Sequence, residues 1–352
     1  MNTLNQKHLT EWATDPSGPV ALVLRQAMLP VEGKDAVVFP PTYADIGYNS
    51  VTTPEGEIIV TIDSVGSQAN RIEPIFKDNP NLTDQRIPKL VPQISITYNT
   101  KGSNTTRSVS IFDAGHRLGD AIIRCTELRE DAHEAFEAMR IHGDATKIAR
   151  LAPTSLVFGV WDSRDTQAKL PRLLQSVILA HDVTLLKRSA QYNPAIDYAE
   201  TGTFTEEEKQ KATTKDPKAQ RGYVHVPAGQ TQGGIIARGP ITRTVTINLI
   251  ALRHLRGEDS DLLRSYILGL TLVAATDDPD GFLRSGCLLV PDVGTPAQWE
   301  AVARSGMHTP VELNQDIALA FAEKQAQSFG INPLRIVAFD KQLAKDDLKK
   351  KS

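Results

Sequence analysis

Apolar and polar positions along the chain switch period several times, and the switches predict a mixture of strands and helices. Val20–Leu29 (VALVLRQAML) is a near-continuous apolar run between Pro19 and Pro30, the pattern of a buried strand. Ile58–Ile62 predicts a second short strand. From Asp63 to Glu73 the period becomes helical: Val65, Ala69, Ile72 and Phe76 form one apolar stripe, with Asp63 or Ser64 as cap and Pro74 as the stop. Gln93–Tyr98 and Arg107–Phe112 alternate around Lys101-Gly102-Ser103-Asn104, a hairpin pattern. Leu118, Ala121, Ile122, Cys125 and Leu128 predict an amphipathic helix, and a charged helical stretch follows to about Arg150 with a break near Gly143.

Further on, Leu156–Trp161 predicts a strongly apolar strand, whereas period alone does not assign Leu170–Leu186. Thr201–Gly222 is polar and poor in core formers, the pattern of an exposed insertion. Ile241–Ile250 alternates as a strand, Asp261–Ala275 predicts an apolar helix and Ser285–Val290 a strand. Thr295–Ser305 and Val311–Phe329 predict helices, and Leu334–Phe339 a closing strand before a Lys-rich tail. Strands and helices intermix without regular βαβ alternation, so the expected class is α+β with long insertions.

Composition narrows the function. A chain of 352 residues, 40% hydrophobic and 23% charged, has the make-up of an ordinary globular protein with room for a sizeable core. Cys125 and Cys287 sit in apolar settings and read as reduced core residues of a cytoplasmic protein. Met1–Asp15 is polar, so no secretory signal is expected there, and no apolar run reaches membrane-spanning length. The chain carries 39 Lys+Arg against 42 Asp+Glu, so any polyanion site must be a local patch.

Two local tracts stand out in this respect. Lys218–Gly257 holds six Lys/Arg and no carboxylate, and Gln85–Phe112 holds Arg86, Lys89, Lys101 and Arg107 and no carboxylate. Such tracts fit either a surface facing phosphates or buried elements that exclude carboxylates. Within the first, Arg238 and Arg243 sit where a strand begins and are expected to face a polyanion, while Leu249–Leu255 is expected to join the core.

Common enzyme signatures, the G-x-S-x-G elbow, the Walker A loop and H-E-x-x-H, are missing. Gly229–Gly234 lacks the Lys-Ser/Thr of a phosphate loop, and Asp277–Gly281 fails the calcium-loop spacing, so neither a cofactor nor a metal is expected. His116 precedes a helix start, where anions are favoured, and reads either as a ligand contact or as a helix-start cap or satisfied core histidine. Ser64, Ser67, Asn70 and Arg71 lie opposite the apolar stripe and suit phosphate and hydroxyl contacts, or simply solvent. Arg164, Lys169, Arg172, Lys187 and Arg188 cluster after the apolar Leu156–Trp161 run, although Asp165 and Asp182 offer partners. Tyr192, Tyr198, Phe204 and Tyr223 lie near these basic tracts and suit base stacking.

The tracts DSVGSQANRIE (63–73), DAGHRLGDA (113–121), FGVWDSR (158–164) and PRLLQ (171–175) together resemble the Csb-one proteins. These are Cas-seven-type RAMP subunits of type I-G (I-U) CRISPR effector complexes, and the resemblance spans roughly residues 20–340. It implies one RAMP domain over residues 1–352, with an RRM-like (ferredoxin-like) palm, fingers and a thumb. Insertions are expected near 77–112 and 193–234, with a flexible tail at 341–352. It also implies a CRISPR RNA-binding scaffold without catalytic activity, stacking with other copies of itself and with other Cascade subunits. Target DNA would be engaged through the guide. The alternative within the same resemblance is a RAMP-family RNA endonuclease. Carried onto this sequence, the expected RNA-backbone contacts are Gln68, Asn70, Arg71, His116, Arg117 and Arg164. Lys169 and Arg172 are added by charge and proximity, and Arg238 and Arg243 by the acid-free tract. Gln93–Phe112 and Thr201–Gln232 compete as the thumb.

Overall fold

The computed structural model describes residues 2–82, 84–102, 105–213, 215–278 and 280–349. The principal elements begin with β1 (Ala21–Pro30), β2 (Ile58–Asp63), α1 (Val65–Ile72), β3 (Ile94–Asn99), β4 (Thr106–Ser110) and α2 (Arg129–His142). Next come β5 (Leu174–Ala180), β6 (Val183–Tyr192), β7 (Val226–Ala237), β8 (Ile241–Asn248) and α3 (Ser260–Thr276). The last are β9 (Cys287–Pro291), β10 (Gln298–Val302), β11 (His308–Glu312), α4 (Gln315–Phe329) and β12 (Arg335–Ala338).

Alternation in ITRTVTIN places Ile241, Arg243, Val245 and Ile247 on one buried face of β8, and this strand runs through the middle of the main sheet. Across the sheet the order is β11-β10-β1-β8-β5-β2, with β9 also on β1. β10 pairs with Ala21–Arg25 of β1 and β9 with Met28–Pro30. The four strands β10-β1-β8-β5 are antiparallel to their neighbours. With β1, β5, β8 and β10 as first to fourth, this is the four-one-three-two order of a ferredoxin-like core. The fold is therefore α+β, as expected, with large insertions between the core strands.

The crossover from β1 to β5 carries α1 and α2, and that from β8 to β10 carries α3. Helix α3 is buried almost along its length and lies close against α4: a Cβ at Gly269 would come 2.9 Å from the Ala322 Cα. Tyr266 stacks on Phe329 at 4.5 Å and donates its hydroxyl to the Leu90 carbonyl. The larger apolar cluster joins these helices to Leu22, Leu24, Leu174, Val245 and Ile247 of the sheet. A smaller one, with Met28, Val60, Ile178 and Ile235, fills the other end of the sheet.

The two insertions differ in kind. The hairpin β3–β4 takes β12 as a parallel third strand and buries Ile94 and Ile96 in the larger core. Its turn residues Ser103 and Asn104 lie outside the described residues. The strands β6 and β7 instead form a two-stranded ribbon from Val183↔Ala237 to Tyr192↔Val226. Beyond it, the short helices Glu206–Gln210 and Pro217–Gln220 bury no residue.

Several elements depart from the sequence pattern. Leu156–Trp161 is not a strand: Thr154–Phe158 is a turn of helix and only Val160–Trp161 is extended. Every residue of that helix is buried, so no face alternates and an apolar run fits either period. Thr295–Ser305 is not a helix, because Trp299 and Ala301 alternate into the core as β10. Val311 belongs to β11, and α4 begins only after the Asn314 cap. The Leu118–Leu128 helix is broken into a 3-10 turn at Arg117–Gly119 and the short helix Ala121–Arg124, capped by Asp120. The start of the expected flexible tail, Lys341–Asp347, is helical, with Arg124 3.4 Å from Asp347. Residues 350–352, and Pro279 of the Asp277–Gly281 turn, lie outside the described residues. Among the described residues no helix is long and apolar enough to cross a membrane.

Candidate nucleic-acid interface

Helix α1 starts at Ser64, whose hydroxyl accepts the Ser67 amide, and its apolar stripe enters the core through Ala69 and Ile72. Gln68 falls on the inward side. It is 1% exposed, donating to Asp63 Oδ2 at 2.7 Å and accepting from the Ser176 hydroxyl at 2.8 Å. Arg71 donates to Asp63 and to the Leu283 carbonyl, and Arg284 also donates to Asp63. Gln68 thus ties α1 to β5 and is buried, which corrects its expected role as an RNA-backbone contact. Asn70, between them in sequence, is exposed.

The second tract is held by a capping box. Ser110 and Asp113 cap each other, and Lys77 bridges to Asp113 at 2.8 Å. His116 then projects outward, while Arg117 turns in with φ 52°, a left-handed conformation rare outside glycine. Arg117 is 5% exposed. Its Nε lies 2.7 Å from Glu73 Oε2, its Nη1 donates to the Gly159 carbonyl at 3.2 Å and its guanidinium packs over Phe158. Burial pushes the Arg117 pKa down, partly offset by Glu73, and burial pushes the Glu73 carboxyl up against the pull of Arg117.

Gly159 allows the third tract to lie close against Leu170 and Arg172. Its φ is 76°, and a Cβ there would come 2.9 Å from Arg172 Cγ and 3.0 Å from the Leu170 carbonyl. Val160 and Trp161 pair antiparallel with Leu170 and Lys169. The intervening loop is closed by buried Asp162, which accepts from the Thr166 amide and hydroxyl. On this small hairpin Trp161 is 55% exposed, with Lys169 Nζ 5.4 Å from the ring centroid.

These pieces enclose a groove of about 380 Å³. Its walls are Asn70, His116, Arg117, Lys169, Arg172 and Trp161 with Val160, Leu170, Pro171 and the glycines 66, 115 and 159; no carboxylate lines it among the described residues. With Arg117 compensated from behind by Glu73, Lys169 and Arg172 carry the groove's exposed positive charge.

Five of the ten candidate contacts therefore meet in one place: Asn70, His116, Arg117, Lys169 and Arg172. Gln68, Arg71 and Arg243 instead border a separate cavity of about 300 Å³. Arg243 was expected to face a polyanion but is 5% exposed, because strand alternation turns it to the covered face of β8, where Nε donates to Ser176. Arg164 is exposed on the 162–168 loop, outside the groove, beside an Asp165–His133 contact of 2.7 Å. Arg238 is exposed near Lys34 at another cleft. As expected, Leu252 joins the core; Arg253 donates to the Trp12 and Pro19 carbonyls. Tyr192, Tyr198, Phe204 and Tyr223 lie on the ribbon and its tip, where Tyr198 and Tyr223 meet edge-on. The residue that sequence reasoning did not single out as a contact is Trp161. Its signal was faint: an aromatic at the end of an apolar run, eight positions before a lysine.

Residues 22–185 match the family model of CRISPR-associated protein GSU0053. The match covers just under half of the chain and includes the whole groove. It supports a CRISPR-associated role for the protein. No curated protein matches the chain.

Proposed function

We propose that this protein is the CRISPR RNA-binding backbone subunit of a type I effector complex, of the Csb-one or Cas-seven kind, and that it holds RNA without cutting it. The observation that carries this reading is the carboxylate-free groove, which gathers Asn70, His116, Lys169 and Arg172 from three separate tracts inside the matched segment. Such a wall attracts phosphates through local charge while the chain as a whole stays slightly acidic. Sequence readout is left to base pairing between guide and target DNA. The ribbon β6–β7 fits the role of a thumb reaching towards a neighbouring copy or another subunit. The rival hairpin fits it less well, because Ile94 and Ile96 anchor that hairpin in the core.

Fluorescence anisotropy with a labelled single-stranded RNA tests the reading. Wild type should bind, and Lys169→Glu/Arg172→Glu should bind at least tenfold more weakly with its melting temperature preserved. Equal binding by the two proteins would remove the groove from the account. The second reading, an RNA endonuclease, rests on His116 as an exposed imidazole in the groove. RNA cleavage by wild type that His116→Ala abolishes, with binding retained, would establish it in place of the scaffold.

A further inference from the structure

We infer that Trp161 is a stacking platform for one unpaired base of a single-stranded RNA whose phosphates lie on Lys169 and Arg172. This rests on the RNA-holding reading above and adds what the groove takes from the ligand besides charge.

The first observation is the exposure of the indole. Trp299 is buried and Trp12 packs against the core, yet Trp161 keeps 55% of its surface open. A large apolar ring left in water is unfavourable unless something covers it. The second is that the ring is held rather than loose. Its strand is fixed by pairing with Lys169–Leu170, by the Gly159 reversal and by the Asp162-closed loop. Lys169 sits 5.4 Å from the ring centroid, a cation–π contact that orients the indole and leaves the ammonium beside it for a phosphate.

The surroundings select the ligand class. No other large exposed hydrophobic lines the groove among the described residues, since Val160 and Leu170 are buried. A protein-docking patch would group several apolar side chains, whereas a lone aromatic between cations matches a nucleobase attached to phosphates. In a duplex both faces of each base are already stacked within the helix, so the platform requires an unpaired nucleotide. Every base offers a π-face, so the contact tolerates any sequence.

The test combines tryptophan emission with anisotropy on wild type, Trp161→Phe and Trp161→Ala, using a single-stranded uridine 12-mer and an abasic ribose-phosphate 12-mer. RNA should quench wild-type emission, and the quench should vanish in Trp161→Phe, which keeps an aromatic ring and so guards against misfolding. Trp161→Ala should bind the uridine 12-mer roughly tenfold more weakly, with an unchanged salt slope, because the lost contact is not ionic. On the abasic oligomer wild type and Trp161→Ala should bind equally. A quench that persists in Trp161→Phe, or full affinity in a folded Trp161→Ala, overturns the stacking role while leaving the RNA-holding reading in place. Wild type that binds neither oligomer overturns both.

Discussion

Replacing Arg117 by Met tests whether this arginine holds the groove wall or grips the ligand. Its charge faces Glu73 at 2.7 Å in a setting where both side chains are almost wholly buried. Removing one partner of such a pair typically costs about 3–5 kcal/mol, because the other charge is left without compensation. The loss should depend on pH in a definite direction. Burial already raises the Glu73 carboxyl above its ordinary value against the pull of Arg117, and without Arg117 it should rise further. A group whose folded pKa is raised binds its proton more tightly when folded. Its stabilising contribution is full below the ordinary carboxylate value and is lost as pH rises through the folded value. The variant should therefore be least impaired in mild acid and lose up to about 1.4 kcal/mol per pH unit across that window. Urea unfolding followed by tryptophan emission at several pH values reads this directly. Glu73→Leu/Arg117→Met should remove the pH dependence and recover most of the stability. A folded Arg117→Met with wild-type stability at every pH, but with an RNA salt slope smaller by about 0.7, would refute the reasoning and make Arg117 a phosphate contact.

Lys169→Ala/Arg172→Ala should lower the slope of log affinity against log salt by about 1.4, one single-strand phosphate contact per side chain, in anisotropy titrations. Gly159→Ala should lower both the melting temperature and RNA affinity without changing charge, since the left-handed φ and the 2.9 Å approach to Arg172 leave no room for a Cβ. His133 has a raised pKa, chiefly through its hydrogen bond to Asp165. That contribution is present in full below the ordinary histidine value and fades as pH rises through the raised one; being exposed it is worth under about 1 kcal/mol, and Asp165→Asn should return the imidazole titration seen by NMR towards normal. Replacing residues 193–225 by a short Gly-Ser turn should leave the melting temperature within a few degrees, because the tip helices bury no residue and the buried Val224 joins neither core cluster, yet weaken assembly on RNA seen by sedimentation.

Much of the core was legible because its strands alternate or are cleanly bounded, as in β1, β2 and β8, and because α1 carries both a cap and an apolar stripe. Legibility failed where burial was complete on all sides, as in Thr154–Phe158, and where a strand's inward positions were a tryptophan and an alanine, as in β10. At the site, residue type and tract order put Asn70, His116, Lys169 and Arg172 among the candidates, and the fold brings them together in one groove. Facing was the harder question. Gln68 and Arg243 point inward because of a one-position phase on a helix and a strand, and a polar side chain gives no warning of that when the partner they share, Ser176, lies far along the chain. Trp161 stayed hidden because its exposure depends on the reversal at Gly159 and on pairing across a loop closed by Asp162. Neither contact leaves a periodic mark.

The most direct test of a non-cutting RNA scaffold is the mass of the complexes formed on single-stranded RNAs of increasing length, with the RNA recovered afterwards. The account predicts that mass rises in whole-subunit steps as the RNA lengthens and that the RNA returns intact. A complex fixed at one subunit whatever the RNA length, or RNA recovered in fragments, would contradict it.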